Sequence, residues 1–390
     1  MKLFIIILLF AQSAASQWDN PVSFLLRRVK PQFATVLNGT SQYWTKSSPS
    51  NLDLNGSEVV TNGTFDANVT GWAGVDATLA YETSIKRTGA GSCKVTATGV
   101  VGAYLASNNV SNTTNGKFTF ECWVYAPSAT VNKTVRLQVR NQVLGTIFQS
   151  GNTTLTADTW TKLVVNGSAD GTQTGLRAVV QWVGTPTTGD IFYADDASLT
   201  QAYDAMIVAL VKSTTSATSR IAHCRGAGST GYALNTVVGG GINSDINDGT
   251  TTSGSTTSNT FLNGSLYIVA TTIDRSGNIV SYLDGVASGA TSVTGKGVVR
   301  AQSIGIGALT GGTEFYTGSI IFVQFVRFVA LPSDIAQTIA QISAQKKPMS
   351  AYSGGQIVAW YDWQSGGYDK SGSGNHLTNV GGAPIIYYKP

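Results

Sequence analysis

The chain has 390 residues, enough for two or three domains, yet only 12% of them are charged, about half the usual fraction of ~25%. Hydrophobic residues make up 42% and run through the whole sequence, which excludes a disordered chain. A net charge of +4 without a Lys/Arg cluster argues against nucleic acid as a partner. Abundant Gly (44), Ser, Thr and Asn predict an all-β chain of an extracellular or virion-surface protein.

At the N-terminus, Lys2, the apolar run Leu3–Ala11 and the small residues Ser13 to Ser16 have the form of a secretory signal peptide. The alternative for residues 1–16 is an apolar arm buried in an assembly. Nine apolar residues fall short of the ~20 that a transmembrane helix needs, so no span is predicted.

Residues 33–54 read FATVLNGTSQYWTKSSPSNLDL, two short strands around the Asn38-Gly39 turn. This text resembles the opening of laminin-G-like, concanavalin A-like sandwich domains. At Glu58 the pattern changes. Asn62-Gly63-Thr64-Phe65 with Trp72, and the closing Asp195-Asp196-Ala197-Ser198-Leu199, are similar to the ends of family 4/9 carbohydrate-binding jelly rolls. The first pattern resumes with Asp204–Lys212 and a strand near Ile221–Cys224.

A hairpin follows, Leu266–Ile273 and Ile279–Leu283, joined by Asp274-Arg275-Ser276-Gly277-Asn278, in which Gly277 can take positive φ. Asp284-Gly285 turns the chain again. Residues 302–307 and 314–329 complete the sandwich. Residues 17–56 and 203–347 are thus predicted to form one laminin-G-like sandwich, split by a jelly roll at 57–202. The expected fold is two β-sandwich domains, one inserted in the other, with one short C-terminal helix. Ser333 is the expected N-cap, Ile335, Ile339 and Ile342 share a face, and Pro348 stops the helix.

The tail, residues 348–390, resembles a segment that precedes laminin-G-like domains, and similar endings occur in phage tail and virion-associated proteins. It either completes its own sandwich or adds a strand to a neighbouring subunit, a route to self-assembly.

Catalysis finds little support. Glucanases of the concanavalin A-like fold use a strand reading E-x-D-x-E, whereas the four glutamates here, Glu58, Glu82, Glu121 and Glu314, have no carboxylate two positions on. Adjacent Asp195 and Asp196 point to opposite faces of a strand. A glycoside hydrolase is therefore a remote alternative.

Period-two alternation brings out a binding surface instead. Phe118, Phe120, Cys122 and Val124 read as core, leaving Glu121, Trp123 and Tyr125 outward. Arg136, Gln138 and Arg140 are outward on the next strand, and Arg177 and Gln181 on a later one. If one sheet presents them together, Trp123, Tyr125, Arg136, Gln138, Arg177 and Gln181 form a platform for cell-surface or polymeric glycans: rings stack on sugars, and amides and guanidinium groups bond hydroxyls. The alternative is packed aromatics and solvated arginines. The jelly-roll resemblance also implies a structural calcium, with Asp196 and Asp66 as candidate ligands. Cys93 and Cys122, expected on neighbouring strands, are a candidate disulfide; otherwise they and Cys224 are buried thiols.

Overall fold

The computed structural model describes residues 32–388 except 39–40, 48–49, 112–115, 171, 214–216, 226–229, 258–260, 262–263, 310–312, 364–366, 381–382 and 384. The apolar segment 1–16 lies outside the described residues. The chain is all-β with a single α-helix among the described residues, and its strands form four antiparallel sheets in two sandwiches.

Sheet I runs in the order Val286–Ser292, Asn278–Leu283, Leu266–Ile273, Asp204–Ser213, Thr317–Phe328, Gln32–Asn38, Ile385–Tyr388. Sheet II faces it, from Thr252–Thr256 through Ile242–Asn247, Gly231–Thr236, Ser219–His223, Ser303–Ile306 and Tyr43–Ser47 to Thr378–Val380. The central strand Asp204–Ser213 explains the layering. Ala205, Ile207, Ala209 and Val211 enter the core between the sheets, and Met206, Val208 and Leu210 point the other way. An uninterrupted apolar run is what a strand covered on both faces requires. The outer cover is the helix Ile335–Gln345, which lays Ile339 and Ile342 on that second face. Its N-cap is Asp334, without a side-chain capping bond, rather than Ser333.

The hairpin pairs Ile273 with Ile279, and its turn closes through Asp274 N–H to Asn278 O at 2.9 Å. Gly277 is needed for space, not for positive φ: a Cβ there would lie 2.8 Å from the Asp274 carboxylate. The following turn does use the left-handed region, with φ of 48° at Asp284 and 84° at Gly285, the requirement of a type I′ hairpin.

The tail pairs within its own chain. Gly355–Tyr361 joins Thr317–Phe328, Thr378–Val380 joins Tyr43–Ser47, and Ile385–Tyr388 joins Gln32–Asn38. Val358, Tyr361 and Trp363 enter the core, with Trp363 5.1 Å from Trp44 between ring centroids. In this arrangement none of these three strands is donated to a neighbour.

Residues 55–202 build the second sandwich. Sheet III has the order Thr161–Ala169, Gly116–Tyr125, Ile191–Ala202, Ser92–Ala97, Ala77–Glu82, with Asn55–Glu58 also on Ile191–Ala202. Sheet IV has the order Thr146–Gln149, Thr134–Asn141, Gly175–Trp182, Tyr104–Ser107, Trp72–Val75. The chain crosses repeatedly between the two sheets, as from Gly116–Tyr125 in sheet III to Thr134–Asn141 in sheet IV. Ile191–Ala202 lies between the strands of Cys93 and Cys122, with Ala194 opposite Cys93. Two strand spacings separate those backbones by about 9–10 Å, beyond the ~7 Å limit of a disulfide. The expected bridge is therefore absent, and all three cysteines are free and buried.

The sandwiches meet along the outer face of sheet III. Lys117 Nζ bonds Asp204 at 2.6 Å and Asp274 at 2.5 Å. Arg275, fully buried, donates to Thr119 Oγ1 and to the carbonyls of Lys296 and Gly297. Glu121 accepts from Val298 N–H at 2.8 Å, and Asn166 donates to the carbonyls of Thr294 and Lys296. The hairpin turn thus contributes a junction between domains as well as a change of direction.

Candidate functional site

The six residues singled out by alternation do not share one face. Trp123 and Tyr125 stand on sheet III, whereas Arg136, Gln138, Arg177 and Gln181 stand on the outer face of sheet IV, across the sandwich. Alternation identifies the outward side chains of each strand correctly but carries no information on which sheet a strand joins. The strand Gly116–Tyr125 and its successor Thr134–Asn141 lie in opposite sheets.

On sheet III the outward residues Lys117, Thr119 and Glu121 are taken up by the domain junction, and Trp123 and Tyr125 lie beyond it. The Arg87 guanidinium sits 3.8 Å above the Trp123 ring, held by an ion pair to Asp196 at 2.5 Å. One ring face of Trp123 is therefore covered. Tyr125 packs against Trp160 and Tyr193 and donates its hydroxyl to Asp158 at 3.0 Å. These contacts describe a packed aromatic cluster more than an open stacking surface.

Sheet IV carries the more ordered polar surface. Antiparallel register sets it out in rows. Arg136 is opposite Gln181, which is opposite Tyr104; Gln138 is opposite Val179, which is opposite Ala106; Arg140 is opposite Arg177. Arg136 donates Nε and Nη2 to Gln181 Oε1 at 3.1 and 2.8 Å, and Gln181 passes its amide N–H to Gly102 O at 2.9 Å. Arg140 Nε donates to Gln138 Oε1 at 2.7 Å, and Gln138 donates to Gln149 Oε1 at 2.7 Å. The Arg140 guanidinium lies 4.3 Å from the centre of the Tyr104 ring, over a small apolar patch of Tyr104, Ala106 and Val179. Arg177 reaches Ser107 O at 3.2 Å. Amides held at both ends and a ring held by a cation are fixed before any ligand arrives, which lowers the ordering cost of binding.

Tyr104 is the residue that strand alternation did not bring out. Its strand, Tyr104–Ser107, is four residues long and wholly buried, so it offers no polar–apolar alternation to read. Only the register opposite Gln181 reveals it.

Asp66 and Asp196 both meet the loop 87–90 but serve different partners. Asp66 accepts from Ala90 N–H at 2.7 Å, and Asp196 accepts from Thr88 Oγ1 at 2.7 Å in addition to Arg87. A dication at Asp196 would have to displace the guanidinium, so the residues as arranged do not fit a calcium site. Among the described residues no group of three or more His, Cys, Asp and Glu is placed to hold a metal ion.

Asp204 and Asp274 approach each other around the Lys117 ammonium, and Asp204 is fully buried. Burial raises the Asp204 carboxyl, against the pull of Lys117 and the N–H groups of Arg275 and Leu331. With an ammonium between them, this pair lacks the open space in which a glycosidic bond could be flanked. Among the described residues no helix is long and apolar enough to cross a membrane.

Several solved structures are similar to part of the chain. The CBM22-1 xylan-binding domain of Paenibacillus barcinonensis Xyn10C shares 13% identity over 36% of this chain and 92% of its own, with a TM-score of 0.29. The C-terminal family 22 carbohydrate-binding module of Clostridium thermocellum Xyn10B shares 17% over 36% and 95%, with a TM-score of 0.30. A structure titled "Family 16 Carbohydrate Binding Module-2" shares 18% over 36% and 98%, with a TM-score of 0.28. No curated protein sequence matches the chain. Residues 186–336, from the end of the inserted sandwich to the start of the helix, match the family model of the concanavalin A-like lectin/glucanases superfamily.

Proposed function

We propose that this chain is a non-catalytic glycan-binding protein of an extracellular or virion surface, and that the outer face of sheet IV is its binding surface. The observation that carries the reading is the row Arg136–Gln181–Tyr104 beside Gln138 and Arg140. It sets an aromatic ring and two oriented amides among guanidinium groups on one rigid sheet. Paired sugar hydroxyls match planar donors and acceptors of this kind, and the Tyr104 ring, 7% exposed beneath the Arg140 guanidinium, holds them in place. Composition supports the location: few charges, many uncharged polar residues and a signal-like stretch at residues 1–16. The ammonium between Asp204 and Asp274 supports binding without hydrolysis.

Affinity electrophoresis of the protein through gels containing single polysaccharides tests the reading. At least one polysaccharide is expected to retard the wild type, and Tyr104→Ala, checked for native circular dichroism, to run unretarded in the same gel. If no polysaccharide retards the wild type, the proposal fails and a purely structural subunit of a surface assembly takes its place.

A further inference from the structure

On sheet IV, Arg140 and Arg177 are directly opposite each other in an antiparallel pair, and Arg136 lies on the same face four residues before Arg140. Like charges in directly opposed positions destabilise a sheet. Among the described residues, none of the three guanidinium groups has a carboxylate within ion-pair distance. Their hydrogen-bond acceptors are neutral: the Gln181 amide, the Gln138 amide and the Ser107 carbonyl. Arg177 Nε is in addition buried without a hydrogen-bond partner, and Arg140 is only 8% exposed.

The rest of the described chain treats its buried cations differently. Lys117 has Asp204 and Asp274; Arg220 has Asp245 and Glu314; Arg225 has Asp245. Arg275, with neutral acceptors, still has Asp204, Asp248 and Glu121 near enough to favour its charge. At Arg140, burial weakens the hold on the proton and so does the neighbouring Arg136, while the Tyr104 side chain strengthens it. Among the described residues, these three cations are left without an anion of their own.

We infer that sheet IV binds an acidic glycan, a chain bearing uronic-acid carboxylates, with Arg140 and Arg177 bracketing one carboxylate and Arg136 serving a further position along the chain. The inference rests on the reading of this face as the glycan surface. Guanidinium and carboxylate match in a planar, two-bond geometry that a neutral sugar cannot offer. The Tyr104 ring, itself buried, holds the Arg140 guanidinium in place at 4.3 Å.

Isothermal titration with polygalacturonate and with neutral xylan, on the wild type and on Arg140→Gln and Arg177→Gln, tests it. The wild type is expected to prefer polygalacturonate, with affinity falling as salt is raised. Each variant is expected to lose about tenfold or more of that affinity. Because removing one of two opposed cations relieves repulsion, Arg177→Gln is expected to melt no lower than the wild type, which separates lost binding from lost folding. Equal or stronger binding to xylan overturns the inference and leaves the glycan reading standing; binding to neither, with no other polysaccharide retarded, removes both. Polygalacturonate binding that both variants retain marks a non-specific effect of net charge and also overturns it.

Discussion

Lys117, on the second strand of sheet III, donates from Nζ to Asp204 Oδ2 of the host sandwich at 2.6 Å, and the same ammonium reaches Asp274 in the hairpin turn. Asp204 is fully buried and also accepts the N–H groups of Arg275 and Leu331. One lysine therefore joins the inserted sandwich to both the central strand and the turn of its host.

Replacing Lys117 with Met leaves the Asp204 carboxylate buried without its cation. Breaking such a pair from one side costs about 3–5 kcal/mol. Urea unfolding of Lys117→Met is expected to show that loss, while Lys117→Met with Asp204→Asn recovers part of it. An unchanged midpoint in the single variant would mean that the two sandwiches do not depend on this contact.

Acid should loosen the host sandwich through Asp248. Burial raises its carboxyl, but Gly297 N–H at 2.8 Å, the Thr250 hydroxyl at 2.7 Å and the N–H groups of Thr251 and Thr250 outweigh burial and bring it down to about 2. A carboxylate lowered in the folded state adds stability above its unfolded value of 3.8, and this is lost as pH falls from there towards 2. The contribution is about 1.5–3 kcal/mol, as for hydrogen bonds to a charged group. Asp248→Asn should lower stability at pH 7 and flatten its decline between pH 4 and 2, read by denaturant titration at each pH.

The reach of the sequence can be traced residue by residue. The central strand Asp204–Ser213 and the hairpin beside it were legible because a long apolar run and a polar turn are local signals. The expectation of an inserted jelly roll rested on two local motifs, Asn62–Phe65 and Asp195–Leu199. The outward direction of Trp123, Arg136 and Arg177 followed from alternation within each strand. Their division between two sheets did not, because sheet membership is set by long-range pairing, such as Gly116–Tyr125 with Ile191–Ala202 and Thr134–Asn141 with Gly175–Trp182. Arg275 read as a turn residue for the same reason: its partner Thr119 is 156 residues away.

The same long-range order decides the thiols. With a strand between Cys93 and Cys122, all three cysteines stay reduced; burial pushes the Cys93 thiol up to about 12 and raises those of Cys122 and Cys224 well above the ordinary thiol value. Alkylation with iodoacetamide should leave the native protein unmodified at neutral pH and label three sites per chain in denaturant without prior reduction. Two protected cysteines that label only after reduction would contradict the strand order of sheet III.

The central claim concerns which face of the inserted sandwich holds a ligand. A crystal structure of the full chain with a bound oligosaccharide, taken from the polysaccharide that retards it most, decides it. The account predicts sugar on the outer face of sheet IV, within hydrogen-bond distance of Arg136 or Arg177. Density on the Trp123 side of sheet III, or on the host sandwich, with sheet IV bare, would contradict it.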